Sequence, residues 1–227
     1  YTSSIFTIFL GKINMIEFNT VFFKYGDTPV LNNINLKIKR PCLAAIMGVS
    51  GSGKTTLLNL ITGLLQSSSG SINVNSHDLN EIQLNMYRSR LGLLNQEPTL
   101  FNMSLRENLR FRNRKVNDDD LIKWINKLKL NSLFPNGHID LDKEINELAT
   151  NLSGGQKQRL CFIREILSEP EVFILDEPTS ALDGKSRLIL LDEINKLKKE
   201  ILIIAVTHDK ELLNIADHVF QLIDGEI

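Results

Sequence analysis

The segment Gly48-Val49-Ser50-Gly51-Ser52-Gly53-Lys54-Thr55 sits between an apolar run, Cys42 to Met47, and a stretch of helical spacing that begins near Lys54. This order constrains the fold more than any other feature of the chain. A continuously apolar run of that length fits a strand buried on both faces, the habit of parallel sheets. Glycines allow successive backbone N–H groups to turn inward around an anion. The helix that follows points its positive end at the same anion. From average residue frequencies the pattern arises by chance in about one chain of this size in a hundred. It is the pattern of a P-loop, so a bound nucleotide is expected. Lys54 would reach the β- and γ-phosphates and the Thr55 hydroxyl would ligate Mg²⁺. Thr56 closes the expected nucleotide-binding stretch.

Strand and helix patterns alternate along much of the remaining chain. Residues 16–23 are rich in β-formers and 34–38 alternate cleanly, so both read as strands. Strands are also expected at 70–75, 91–94, 172–175, 201–206 and 219–222, with helices through 188–197 and near Leu212. From about 104 to 167 the apolar spacing is mostly helical. There Asp118-Asp119-Asp120 offers a helix start, with acidic charge at the positive end of the dipole. The expected fold is α/β: a P-loop NTPase core with a mainly parallel sheet, an antiparallel β subdomain and an inserted α-helical subdomain. The core would take about 16–95 and 168–227, and the helical subdomain about 96–167. Residues 1–15 read as a linker or the remnant of something upstream, because the chain begins at Tyr1 rather than Met. The apolar runs are far below the ~18 residues that span a membrane. Cys42 and Cys161 read as small buried thiols rather than a disulfide.

A second acidic motif follows. Val172-Phe173-Ile174-Leu175-Asp176-Glu177 is an apolar strand ending in two carboxylates. Ligands of open α/β sheets bind at the carboxyl ends of strands. Asp176 is therefore expected to hold Mg²⁺ through water. Glu177 is expected to orient or deprotonate an attacking water.

Leu152-Ser153-Gly154-Gly155-Gln156 opens another glycine-rich helix. Ser153 and the N–H groups of Gly154 and Gly155 would make a second anion site. One P-loop already supplies a nucleotide site, so the second site suggests completion of a site on another molecule. With these five residues the chain resembles the nucleotide-binding domain of ABC transporters, from about residue 16 to 227. The resemblance implies further roles. Tyr25 matches the aromatic that stacks on adenine. Gln96, in Leu94-Asn95-Gln96-Glu97-Pro98, matches the Q-loop, which contacts Mg²⁺ and the transmembrane partner. Asp183, in Ser180-Ala181-Leu182-Asp183, matches the D-loop of the dimer interface. His208, in Val206-Thr207-His208-Asp209, matches the switch histidine at the γ-phosphate. The resemblance also implies two domains paired head to tail, with ATP and Mg²⁺ between one P-loop and the other domain's signature. It implies a transmembrane partner absent from this chain, and so a place at the cytoplasmic face of a membrane.

Two stretches resemble the exporter type. One runs from Thr99 to Leu109; the other is Glu147 before the signature, with Phe134-Pro135-Asn136-Gly137 upstream. Asn146 and Ala149 replace glycines frequent around that glutamate, and Cys161, Ile163 and Glu165 replace small alanines after the signature. Asp176-Glu177-Pro178 and Thr207-His208-Asp209 resemble importer and stand-alone subunits, so a separate ATPase subunit is the alternative. A soluble ATPase acting on nucleic acid fits poorly. The net charge of −1 supplies no basic field. The stretch between Lys54 and Ser153 is also too short for a long coiled coil.

Overall fold

The computed structural model describes residues 11–134, 136–145 and 152–227. Strand β1 (Met15–Tyr25) turns at Gly26 and pairs antiparallel with β2 (Thr28–Lys39). In β2, Ile34, Leu36 and Ile38 are buried while Asn35, Lys37 and Lys39 face solvent. The strand starts earlier than its alternation suggests because Asn33, at φ +52°, breaks the period. After β3 (Cys42–Met47) and α1 (Lys54–Ile61), β4 (Ser69–Val74) returns to pair with β1. The two-residue β5 (His77–Asp78) completes an antiparallel sheet of order β2-β1-β4-β5.

Helix α2 (Leu84–Arg88) leads into β6 (Leu91–Leu94). The inserted region then carries β7 (Met103–Ser104), α3 (Leu105–Leu109), α4 (Asp118–Lys127), β8 (Glu144–Ile145) and α5 (Gly154–Ile166). The chain closes with β9 (Val172–Asp176), α6 (Gly184–Leu197), β10 (Leu202–Val206), α7 (Lys210–Ile215) and β11 (His218–Gln221).

The central sheet has the order β11-β3-β10-β9-β6, and every neighbouring pair is parallel. Its two faces explain the continuous apolar runs. Leu43, Phe173, Leu175 and Ile203 pack on one side with Leu121, Ile125 and Phe162 of the inserted helices. Ala44, Ile46, Ile174 and Ile204 pack on the other with α1 and the antiparallel sheet. The expected α/β fold is the observed one, with an antiparallel sheet and an inserted helical region.

The insertion is less helical than its spacing suggests. A small β7–β8 ladder crosses it, and the Ser104–Glu107 capping box starts a helix of only five residues. Helix α1 stops at Ile61, and Gly63 follows at φ +68°. Among the described residues no helix is long and apolar enough to cross a membrane. Both cysteines are buried and free.

Candidate nucleotide site

The parallel sheet delivers four chain segments to one edge. The P-loop leaves β3, Glu177 leaves β9, Thr207 and His208 leave β10, and Gln96 lies just beyond β6. Asp176 pairs in register with Val206, and Glu177 N–H donates to the Val206 carbonyl at 2.9 Å. These segments line a cleft of about 440 Å³ at the carboxyl ends of the strands.

The loop itself is fixed by close approach. A Cβ on Gly48 would stand 2.4 Å from the Leu222 carbonyl oxygen and 2.6 Å from Ser52 Oγ. Gly53 caps α1 at φ +102°, where side chains are strained. Gly48→Ala is therefore expected to cost about 1–3 kcal/mol of stability, read from thermal or denaturant unfolding. An unchanged midpoint would mean the loop can yield at Leu222. Lys54 opens α1 and folds back over the loop. Its Nζ donates to the carbonyls of Gly48 at 2.6 Å and Val49 at 2.7 Å.

The acidic pair faces the loop. Burial pushes the Asp176 carboxyl up, and nearby Lys54 pulls it partly back. Burial also raises Glu177, against the opposing pull of His208. The Glu177 carboxylate lies 3.6 Å from His208 Nε2, with the glutamate side chain 16% exposed and the histidine 55%. Glu177 itself sits at φ +47°, in the left-handed region. Asp176, the exposed Thr55 hydroxyl and the exposed Gln96 amide line the same cleft. This hard-oxygen donor set suits Mg²⁺.

Not every expected residue meets there. Ser50, Gly51, Gly53, Lys54, Thr55 and Thr56 line the cleft with Gln96, Asp176, Glu177 and His208. Gly48, Val49 and Ser52 shape the loop without lining the cleft. Tyr25 stands at the hairpin tip, 52% exposed and edge-on to Phe23 with ring centres 4.8 Å apart. Asp183 caps α6, accepting from Ser186 N and Oγ, and those bonds lower its pKa. Val30 and Ser180 line the cleft as well. A valine in a hairpin carries no distinguishing pattern, and Ser180 stood out only as the first residue of the D-loop stretch.

None of Leu152, Ser153, Gly154, Gly155 or Gln156 lines this cleft. Ser153 caps α5 in a capping box with Gln156, and Ser153 and Gly154 are exposed. Gly155 is needed for packing: a Cβ there would come within 2.9 Å of the Ala181 carbonyl oxygen. Farther along α5, Cys161 Sγ donates to the Thr99 carbonyl, and Glu165 pairs with Arg112 at 2.5 Å and Arg164 at 3.1 Å. The larger side chains after the signature thus hold the segment behind Gln96. Glu147, Asn146, Ala149 and Pro135 lie outside the described residues.

The family pattern described as ABC transporter matches residues 31–180. The chain belongs to the ABC transporter family. It is an ABC-type, ATP-binding ATPase domain, as the resemblance resting on Leu152 to Gln156 implied. An ATP-dependent lipid A-core flippase of Syntrophus aciditrophicus (strain SB) is 34% identical over 212 residues, covering 93% of this chain and 35% of the relative. ABC transporter B family member 4 of Dictyostelium discoideum is 36% identical over 218 residues, covering 93% and 28%. The chain therefore spans about a third of the length of these relatives. A bacterial Atm1-family ABC exporter solved with ATP bound superposes with a TM-score of 0.89 at 23% identity, covering 97% of this ABC domain and 39% of that chain. That likeness is one of fold.

Proposed function

We propose that this ABC domain hydrolyses ATP to drive an export-type transmembrane partner, pairing head to tail with a second ATPase domain around each ATP. One observation carries the composite site: the exposed signature helix start lies outside the cleft that its own P-loop lines. An anion site with no place in its own cleft fits a phosphate held by the partner. The flippase relative and the segment from Thr99 to Leu109 favour export over a separate importer subunit. The domain would then work at the cytoplasmic face of a membrane.

In this reading the P-loop N–H groups and Lys54 bind the phosphates, exchanging the Gly48 and Val49 carbonyls for phosphate oxygens. Thr55, Gln96 and Asp176 would hold Mg²⁺, whose charge, when bound, offsets that of the phosphates. Glu177 orients the water and takes its proton, and His208 contacts the γ-phosphate. Tyr25 stacks on adenine at the hairpin tip. Asp183 faces the partner domain. Ser153, Gly154 and Gly155 donate to the partner's ATP, so nucleotide links the domains and hydrolysis releases them.

Ser153→Arg tests the composite site. It places a long charged side chain at the contact and removes a helix cap worth about 1 kcal/mol. ATP-driven pairing, followed by light scattering with ATP and Mg²⁺, is expected to disappear while single-domain nucleotide binding persists. Undiminished pairing would sink the head-to-tail arrangement.

A further inference from the structure

Gln158 lies on α5, five residues after the Ser153 cap, and is fully buried. Its Nε2 donates to the main-chain carbonyl of Glu177 at 3.0 Å. The reversed amide would set oxygen against oxygen, so this bond fixes which end faces Glu177. The other end gains nothing: among the described residues, Oε1 is buried without a hydrogen-bond partner. An apolar side chain would avoid that cost. What distinguishes glutamine at this position is its bond to Glu177.

The Glu177 main chain needs holding. Its φ of +47° is a conformation that a glutamate adopts only when its surroundings over-determine it. Its N–H is tied to Val206, and its carbonyl accepts from Ser180 N at 3.2 Å and Ser180 Oγ at 3.0 Å. Those ties come from the same turn and the neighbouring strand. Gln158 supplies the tie from the signature helix. Gly155 packs the same helix against the Ala181 carbonyl, so α5 and this turn are in contact at two levels.

We infer that Gln158 is a positioning residue: it links the helix that receives the partner's ATP at Ser153 to the carboxylate that acts on this chain's own ATP. The inference rests on the composite-site and Glu177 assignments proposed above. The link runs through backbone. A shift of the helix start towards a phosphate passes along about 7.5 Å of rigid helix. It reaches the Glu177 carbonyl and re-aims the side chain attached to the same residue. No proton or bond changes hands at Gln158.

Gln158→Leu, made in the whole encoded protein, removes the donor and keeps the volume apolar. The expected result is a fall in kcat of at least tenfold, with KM for ATP and ATP-driven pairing within about twofold of the parent. In a Glu177→Gln background the same substitution is expected to change residual turnover less than twofold, because both act through one carboxylate. A purely packing role would lower both backgrounds alike. The inference is overturned if kcat stays within twofold of the parent, or if turnover drops tenfold further in the Glu177→Gln background. Gln158→Met, which keeps the length and lacks the donor, is read the same way if the leucine variant unfolds. Parent-rate hydrolysis by Glu177→Gln alone would instead overturn the Glu177 assignment.

Discussion

Glu177→Gln is expected to lower ATP turnover about 10²- to 10⁴-fold, the range for removing a general base, while ATP affinity stays within about twofold. The carboxylate is placed by the sheet: β9 ends beside β10, and the Glu177 N–H is bonded to Val206. Its partly buried side chain faces His208 across 3.6 Å. Burial raises its pKa and so makes it a better proton acceptor than a solvated glutamate. Glutamine matches the shape, carries the same main-chain cost at φ +47° and keeps the carbonyl that Gln158 and Ser180 bind. The fold and the phosphate contacts should therefore persist, and only the proposed proton acceptor is lost. ATP is then hydrolysed only at the residual rate, and the paired state should accumulate. Phosphate release gives the rate, and light scattering with ATP and Mg²⁺ gives the trapped pair. Turnover at the parent rate would remove Glu177 from the chemistry.

The parts of this architecture that sequence made visible share one physical cause. β3, β9 and β10 are buried on both faces, so their apolar runs are unbroken and short. The P-loop and the signature were legible because close backbone approach admits only glycine at Gly48 and Gly155. Elements held by tertiary contacts left no such trace. α2 is five residues long, and Tyr87 anchors it through a bond to the distant Ile61 carbonyl. The β7–β8 ladder depends on partners 40 or 42 positions apart, Met103 with Ile145 and Ser104 with Glu144. Gln158 was invisible for the same reason. One glutamine in a helix looks solvated until the fold sets it against Glu177. The helical spacing of the insertion also hid its interruptions, because periodicity records which face is buried rather than where each turn stops.

Lys54→Ala is expected to weaken ATP binding about 100-fold, equivalent to ~2.7 kcal/mol, and adenosine binding less than twofold. Lys54 stands at the first position of α1, so its backbone is already fixed by the helix and by the Gly53 cap. Alanine is the best helix former, and the substitution should leave α1 intact. The loss is one charge-assisted donor. Its ammonium now bonds the Gly48 and Val49 carbonyls, within reach of any anion that the loop encloses. Adenosine carries no phosphate and is indifferent to that charge. Removing Lys54 has a second consequence at Asp176, whose carboxyl Lys54 pulls down against its burial. Without the ammonium that carboxyl rises further. Equal losses for ATP and adenosine, read by competition with a fluorescent nucleotide, would point to a collapsed loop instead of a missing phosphate contact.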